Sequence, residues 1–339
     1  MTSSSQPDAE VVTDLRSRLL SELRAVLGHH QEYDAVDYPD HFNVGDSAIW
    51  LGQARALREV GLTEQSVSTR RTYHPRALRA DGPIIIQGGG NFGGLYQTHH
   101  QLRLRVLGDF RGRPVVQMPQ SIEYADDDRR DELRRAVDRH GATTLLVRDA
   151  RSLERARADF DCPVVLTPDA AFGLGALSRS PGGVGVTVQA RTDKEASGAA
   201  PAAGDHIFDW LDPGSDEPRA AAGRRLARLG RVGRRSRLTA YRRRYARLAH
   251  DLAEANLAYG REALSSGALL VTDRLHGHVL ACLLGQPHLV VNDRYGKIAA
   301  FHETWTHRFR VGRLVPTWTE VEDAVRAHQA APVDGSGSA

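Results

Sequence analysis

The sequence predicts an α/β protein with two parallel-sheet domains, and three observations carry that prediction. Short apolar runs of strand character alternate with helix-length segments, the pattern of a parallel sheet with crossover helices. Four such runs in succession end in polar knots, at Gln87 to Gly93, Gln117 to Ser121, Arg148 to Ser152 and Thr167 to Asp169. Right-handed crossovers collect such ends on one sheet edge, where a ligand cleft forms. The chain has 339 residues, more than the roughly 250 to 300 at which single cores stop growing. Its composition shifts after Gly175 through Pro181-Gly182-Gly183, a turn-forming linker. The expected units are 1–178, 179–330 and a flexible tail, 331–339.

With 41% hydrophobic and 26% charged residues, the chain has the composition of a soluble globular protein with a substantial core. The net charge of +3 conceals a local excess, for twelve arginines and no acidic residue lie between Arg219 and Arg247. Everything outside that segment is net acidic. Cys162 and Cys282, far apart in apolar settings, read as free buried thiols of a reducing compartment. The start MTSSSQPDAE has no signal-peptide character. No apolar run approaches the roughly 20 residues of a membrane span, so a cytoplasmic protein is expected.

In chain order, the first ten residues are expected to be disordered and Val11 to Leu27 to form an amphipathic helix. A helix from Ser47 to about Val60 follows the turn residues Asn43, Gly45 and Asp46. Asp46 either caps that helix or helps its N–H groups hold an anion or a hydroxyl. The strand Ile84 to Gln87 runs into Gly88, Gly90 and Gly93, which fit the dinucleotide fingerprint letter for letter. That fingerprint needs an acidic residue ending the next strand, and Pro114 to Gln117 ends in Met118-Pro119-Gln120-Ser121. Nicotinamide binding is therefore rejected, and the glycines are left to let backbone approach a ligand. Strands ending at Val147 and Leu166 complete the first unit.

In the second unit a strand from Val184 to Gln189, a low-complexity loop from Ala196 to Ala203 and a short strand near Ile207 to Leu211 are expected. Beyond the arginine-rich segment, a helix from Asp251 to Leu264 feeds the strand Ala268 to Val271. Its polar end, Thr272-Asp273-Arg274-Leu275-His276-Gly277, opens a helix that Gly285 stops, and a strand runs from His288 to Val291. Helices near Ile298 to Trp305 and Thr319 to His328 close the chain. Arg274 and His276 offer a fixed cation and a proton carrier to an anion, or else Arg274 pairs with Asp273 and His276 caps the helix. No metal site is expected, because His99-His100 and the pair His276 and His278 point to different faces and no His or Cys cluster has ligand spacing. The basic run lacks interleaved aromatic residues and any nucleic-acid-binding module, which argues against nucleic acid. A solvated helix face is its leading reading and docking on an anionic membrane surface the second.

Taken together, the motifs resemble those of the polysaccharide pyruvyl transferase family. They are Asn43-Val44-Gly45-Asp46, Gly88-Gly89-Gly90-Asn91-Phe92-Gly93, Pro119-Gln120-Ser121, Arg148-Asp149 with Ser152, Pro168-Asp169, Thr272 with Arg274-Leu275-His276-Gly277, and Gly285 with Pro287. The resemblance implies two Rossmann-like domains facing a central cleft, as in the glycosyltransferase B fold. It implies transfer of the enolpyruvyl unit of phosphoenolpyruvate to two hydroxyls of a sugar, free or lipid-linked, giving a cyclic ketal and phosphate. Phosphoenolpyruvate is then a substrate, and no cofactor is implied. By position, Arg148, Arg274, His276 and Lys297 would handle the donor. No acidic residue adjoins His276 in sequence.

The chemistry agrees with that implication. A donor with a carboxylate and a phosphate needs fixed cations, and arginine forks suit both groups. Protonating the donor methylene needs an acid near neutral pH, which histidine supplies. His276 is thus expected as general acid and base, Arg148 and Arg274 as anion clamps and Lys297 as a phosphate contact. Asn91 with Gly89 and Gly90 would face the acceptor, and Asp46 and Asp169 would accept hydroxyls. The competing readings are a nucleotide-sugar glycosyltransferase of the same architecture and a non-catalytic glycan-binding protein.

Overall fold

The computed structural model describes residues 7–78, 81–179, 183, 185–193, 196, 206–211, 216–233 and 238–330. The chain opens with α1 (Asp8–Leu27), β1 (Glu32–Val36), α2 (Val44–Glu59), β2 (Thr63–Ser68), β3 (Ile84–Ile86) and β4 (Gly89–Phe92). It continues with α3 (Gln97–Asp109), β5 (Val115–Ile122), α4 (Asp127–His140), β6 (Thr143–Val147), α5 (Ala150–Asp159) and β7 (Val164–Leu166). Then come β8 (Val186–Gln189), β9 (His206–Phe208), α6 (Glu217–Gly233), α7 (Thr239–Leu264), β10 (Leu269–Thr272) and α8 (Leu275–Leu284). The last elements are β11 (His288–Val291), α9 (Lys297–Thr304), β12 (Gly312–Val315) and α10 (Val321–Ala330).

Two parallel sheets result. The first runs in the order β2-β1-β3-β5-β6-β7, with β4 pairing with β5, and the second in the order β12-β11-β10-β8-β9. One apolar cluster lies between them and draws on α1, α2, α7 and α8, with Leu15, Trp50, Leu252 and Leu280 at most 1% exposed. Each such burial stabilises by about 1.5–3 kcal/mol. Trp50 meets the Tyr38 ring edge-on at 4.8 Å, and its indole N–H donates to His250 Nδ1 at 3.3 Å. Helix α7 therefore packs against α2 and β2 of the first sheet, although it follows the first strand of the second.

Several expectations need correction. Residues 8–10 are helical, for the Pro7 carbonyl at the N-cap position accepts from Glu10 N and Val11 N and Asp8 accepts from the Arg310 and Val311 N–H groups. Helix α2 starts three residues early and is capped by Asn43, whose Oδ1 accepts from Gly45 N at 3.0 Å. The glycine-rich turn is partly a strand, β4, and β5 runs straight through Pro119 to Ile122. Strands β1, β2 and β12 escaped notice, as did α3 and α4. Strand β1 carries a fully buried Asp34, which accepts from Ser66 Oγ and from Arg113 at 2.8 Å. A carboxylate in a strand interior breaks the apolar pattern on which such reading depends. Most of the Ala196 to Ala203 loop, most of the linker and the tail lie outside the described residues.

Candidate functional site

The C-terminal ends of β1, β6, β10 and β11, with the glycine-rich strand β4, converge on a cavity of about 530 Å³ between the sheets. Arg148, Arg274, His276, Lys297, Asn91, Gly90 and Asp46 all line it. Gly89 and the buried Asp169 sit directly behind that wall. Gly89 has φ of +129°, a conformation open to glycine alone at low cost. A methyl group on Gly90 would stand 3.3 Å from Arg148 Nη2 and 3.8 Å from Lys297 Nζ. The bare backbone thus brings an arginine from the first sheet and a lysine from the second to one spot.

Three motifs interlock behind Arg148. Its Nε donates to Ser121 Oγ at 2.9 Å, and Ser121 donates to Asp149 at 2.7 Å. Asp149 caps α5 by accepting from Ser152 N at 2.7 Å, and Ser152 Oγ accepts from Ile122 N at 2.8 Å. The indole of Trp305 donates to the Arg148 carbonyl at 2.8 Å. Held this way and 2% exposed, Arg148 donates through Nη1 to Asp169 Oδ2 at 2.6 Å. Such fixation removes the rotamer entropy that an arginine would otherwise lose on gripping an anion.

His276 supplies the titratable group. Its Nε2 lies 3.4 Å from Asp169 Oδ2 and 3.4 Å from Arg148 Nη1. The acidic partner missing from its sequence neighbourhood therefore arrives from the first sheet. Burial opposes ionisation of Asp169, but the adjacent His276 and Arg148 outweigh it and hold the carboxyl well below the usual range. Gly45 seats the imidazole from the opposite side, since a methyl group there would lie 2.6 Å from His276 Cβ. Helix α8 has no side-chain cap, so His276 is not spent on capping.

Arg274 lines the cavity but does not pair with Asp273. Its fork grips Asp209, at 2.8 Å through Nε and 2.6 Å through Nη2, with Asp193 at 3.4 Å. Asp273 turns away and accepts from Arg191 N at 2.8 Å. Burial raises the Asp273 carboxyl to about 6. Lys297 opens α9, 7% exposed, with its ammonium 5.2 Å from the centre of the Tyr295 ring. Asp46 accepts from Asn43 Nδ2 at 2.9 Å and leaves the cap to Asn43. Asn91 Oδ1 accepts from Arg103 at 2.6 Å and from Gln120 at 3.1 Å.

Sequence reading missed a second histidine in the cavity wall, His99, and its partner Asp37. Asp37 follows the unrecognised β1, is 2% exposed, and has φ of 70°, the sole positive value at a non-glycine among the described residues. Its two oxygens lie 2.9 and 2.8 Å from His99 Nδ1. A carboxylate there favours the tautomer with the proton on Nδ1 and Nε2 as acceptor, and the Asn91 amide nitrogen stands 3.2 Å from the same Nδ1. A residue held in a sparsely populated backbone region is a pointer to function.

The spacing argument against metal ligands also fails on one point, because β11 brings His288 to α8. Donor atoms of His278, Cys282 and His288 lie within 4.8 Å of one another, all buried. The separation of His278 Nδ1 and His288 Nε2 is 2.6 Å, a hydrogen bond and shorter than two ligands of one ion would stand. His278 Nε2 meets Thr306 Oγ1 at 2.7 Å, and His288 Nδ1 donates to the Gln286 carbonyl at 2.8 Å. These rings satisfy each other.

The model of the polysaccharide pyruvyl transferase family matches residues 43–294, a span that contains Asp46, Asn91, Arg148, Asp169, Arg274 and His276 and ends three residues before Lys297. The chain belongs to the polysaccharide pyruvyl transferase family. It is 28% identical over 304 residues to pyruvyl transferase 1 of Schizosaccharomyces pombe, across 80% of this chain and 69% of that one. It is 27% identical over 306 residues to EpsO of Bacillus subtilis, which bears a provisional pyruvyl transferase name, across 87% of this chain and 92% of that one. A functionally uncharacterised crystal structure from Klebsiella pneumoniae shares the fold, with a TM-score of 0.58, 18% identity and coverage of 90% of this chain and 99% of that one. Among the described residues, no helix is long and apolar enough to cross a membrane.

Proposed function

We propose that this pyruvyl transferase takes the enolpyruvyl unit of phosphoenolpyruvate and sets it as a cyclic ketal on two hydroxyls of a glycan sugar, in the cytoplasm. The reading uses a two-domain frame like that of glycosyltransferase B enzymes, with residues 1–178 on the acceptor side and 179–330 on the donor side. One observation carries it: Arg148, Asp169 and His276 meet within 3.4 Å where Lys297 and Arg148 converge on Gly90. Two cations and a proton carrier at one point suit a donor with two anionic groups and a carbon to be protonated.

In this scheme Arg148 and Lys297 hold the donor, and Arg274 reaches it by giving up Asp193, the looser of its carboxylate partners. His276 as imidazolium gives its proton to the donor methylene. The first acceptor hydroxyl adds to the neighbouring carbon, and His99 Nε2 takes its proton while Asp37 stabilises the imidazolium. The carbon–oxygen bond to phosphate then breaks, the leaving group departs as phosphate with the proton held by His99, and the second hydroxyl adds and gives its proton to His276, which restores the imidazolium. The sum is donor plus diol giving ketal plus phosphate, so no external oxidant or reductant is needed. Asp46 and Asn91 would orient the acceptor.

Incubation with phosphoenolpyruvate and a panel of free and lipid-linked glycosides tests the reading, with phosphate release and product mass followed together. Phosphate and ketal should appear in equal amounts. Turnover with a nucleotide sugar, and none with phosphoenolpyruvate, would refute it.

A further inference from the structure

The arginine-rich segment is the sequence motif that this chemistry leaves unused. The structure divides it. Arg219 turns inward, with Nε donating to Asn256 at 3.1 Å and Nη2 to the carbonyls of Phe42 and Trp210 at 2.8 and 3.0 Å. Arg242 is also buried. The remaining described arginines, Arg224, Arg225, Arg228, Arg231, Arg243, Arg244 and Arg247, are exposed on α6 and α7. Those two helices pack together, tied by Tyr241 donating to the Leu229 carbonyl at 3.1 Å.

Within α6, Arg224, Arg228 and Arg231 recur at the spacing that shares one face, as do Arg243 and Arg247 within α7. Arg224 pairs with Glu217, and no residue from Ala220 to His250 is acidic. So many like charges on one hairpin repel one another, a cost relieved when an anionic surface meets them. Two apolar features belong to the same hairpin. Leu238, at the start of α7, is 72% exposed. A second cavity, of about 550 Å³, opens between the hairpin and the first sheet, lined by Leu226, Ala227, Tyr245 and Leu252 with Arg71 and Arg231. Asp40 borders this recess, while its neighbours His41 and Phe42 border the main cavity.

From this we infer that the α6–α7 hairpin is a docking face for an anionic lipid bilayer. Charge alone would suit any polyanion. The exposed leucine and the aliphatic recess beside the arginines favour a partner with apolar chains beneath its phosphates, which a nucleic acid does not offer. The inference does not depend on the donor or the product proposed above.

Sedimentation of the full-length chain with phosphatidylcholine vesicles, with and without phosphatidylglycerol, tests it. Binding is expected only to the anionic vesicles, and raised salt should weaken it. Arg228→Gln, Arg243→Gln and Arg247→Gln should each weaken partitioning by about fivefold. Leu238→Ser should weaken the part that survives high salt. These exposed positions lie outside the catalytic cavity, so the thermal midpoint and the turnover of a water-soluble acceptor should stay unchanged. Equal binding to neutral vesicles, no binding at low salt, or retention of a DNA duplex in preference to anionic vesicles would each overturn the inference.

Discussion

His276 and His278 lie two residues apart on α8 and live in opposite chemical worlds. His276 faces the cavity, with a carboxylate and a guanidinium from the first sheet at its Nε2. His278 faces the core, against His288 and Thr306. Burial, then the neighbouring His288 and His302, push its pKa far below the ordinary histidine value. Two residues of helix rotate a side chain by roughly 200°, enough to exchange a wet cavity wall for a dry interior. Residue type on its own therefore says little here. The buried ring of His278 can hold its place only while neutral.

That contrast can be broken at four points. The largest effect is expected from His276→Ala, which should lower kcat by about 10²- to 10⁴-fold with the thermal midpoint unchanged. Activity close to wild type would remove His276 from the chemistry. Next, Gly45→Ala adds a methyl group 2.6 Å from His276 Cβ, so either the imidazole or α2 must move. A loss in kcat of about 10²-fold is expected, with a smaller change in KM, and a crystal structure of the variant should show the displaced ring.

His278→Ala should do the reverse. It strands His288 Nε2 and leaves Thr306 Oγ1 only its 3.2 Å contact with His302 Nδ1, at a cost of about 2 kcal/mol of stability, which chemical denaturation would measure. The kcat of the folded fraction should stay near wild type, and a large fall would mean that the two rings are coupled. A fourth test is the acid dependence of stability. His288 is pushed down to about 4, chiefly by burial, and His278 is lowered as well. Below the unfolded value of about 6.5 the unfolded chain binds protons that the folded chain refuses. Stability should therefore be full above about pH 6.5 and fall toward pH 4, by at most about 1.4 kcal/mol per pH unit for each ring. Denaturation midpoints that stay level across that window would show the rings to be protonated in the fold.

How much of this was legible beforehand depended on what each residue's neighbours contribute. Strands β3, β6, β10 and β11 were readable because Ile84 to Ile86, Leu145 to Val147, Leu269 to Val271 and Leu289 to Val291 are apolar throughout, as strands buried on both faces must be. Strand β1 was not readable, because Asp34 is compensated by Ser66 and Arg113, which only the fold brings near. With β1 went its end, and so Asp37 and His99. Arg148, Arg274, His276 and Lys297 were named from the sequence, and the structure gathers them around one cavity. Their pairings were not, since Asp169, itself named from the sequence as a hydroxyl acceptor, stands 107 residues from His276, and Asp209 stands 65 from Arg274. His288 likewise completes its cluster from another strand, with only the spacing of His278 and Cys282 on α8 as a hint.

The seat of His276 has a consequence for anyone who would recombine relatives of this chain. Gly45 and Asp169 come from the first sheet and the imidazole from the second, so neither half is a self-sufficient cassette. A chimera joined near residue 180 would inherit an acid from one parent and its socket from the other. Exchange of halves should succeed only between parents that share both the glycine and the carboxylate, however well each half folds.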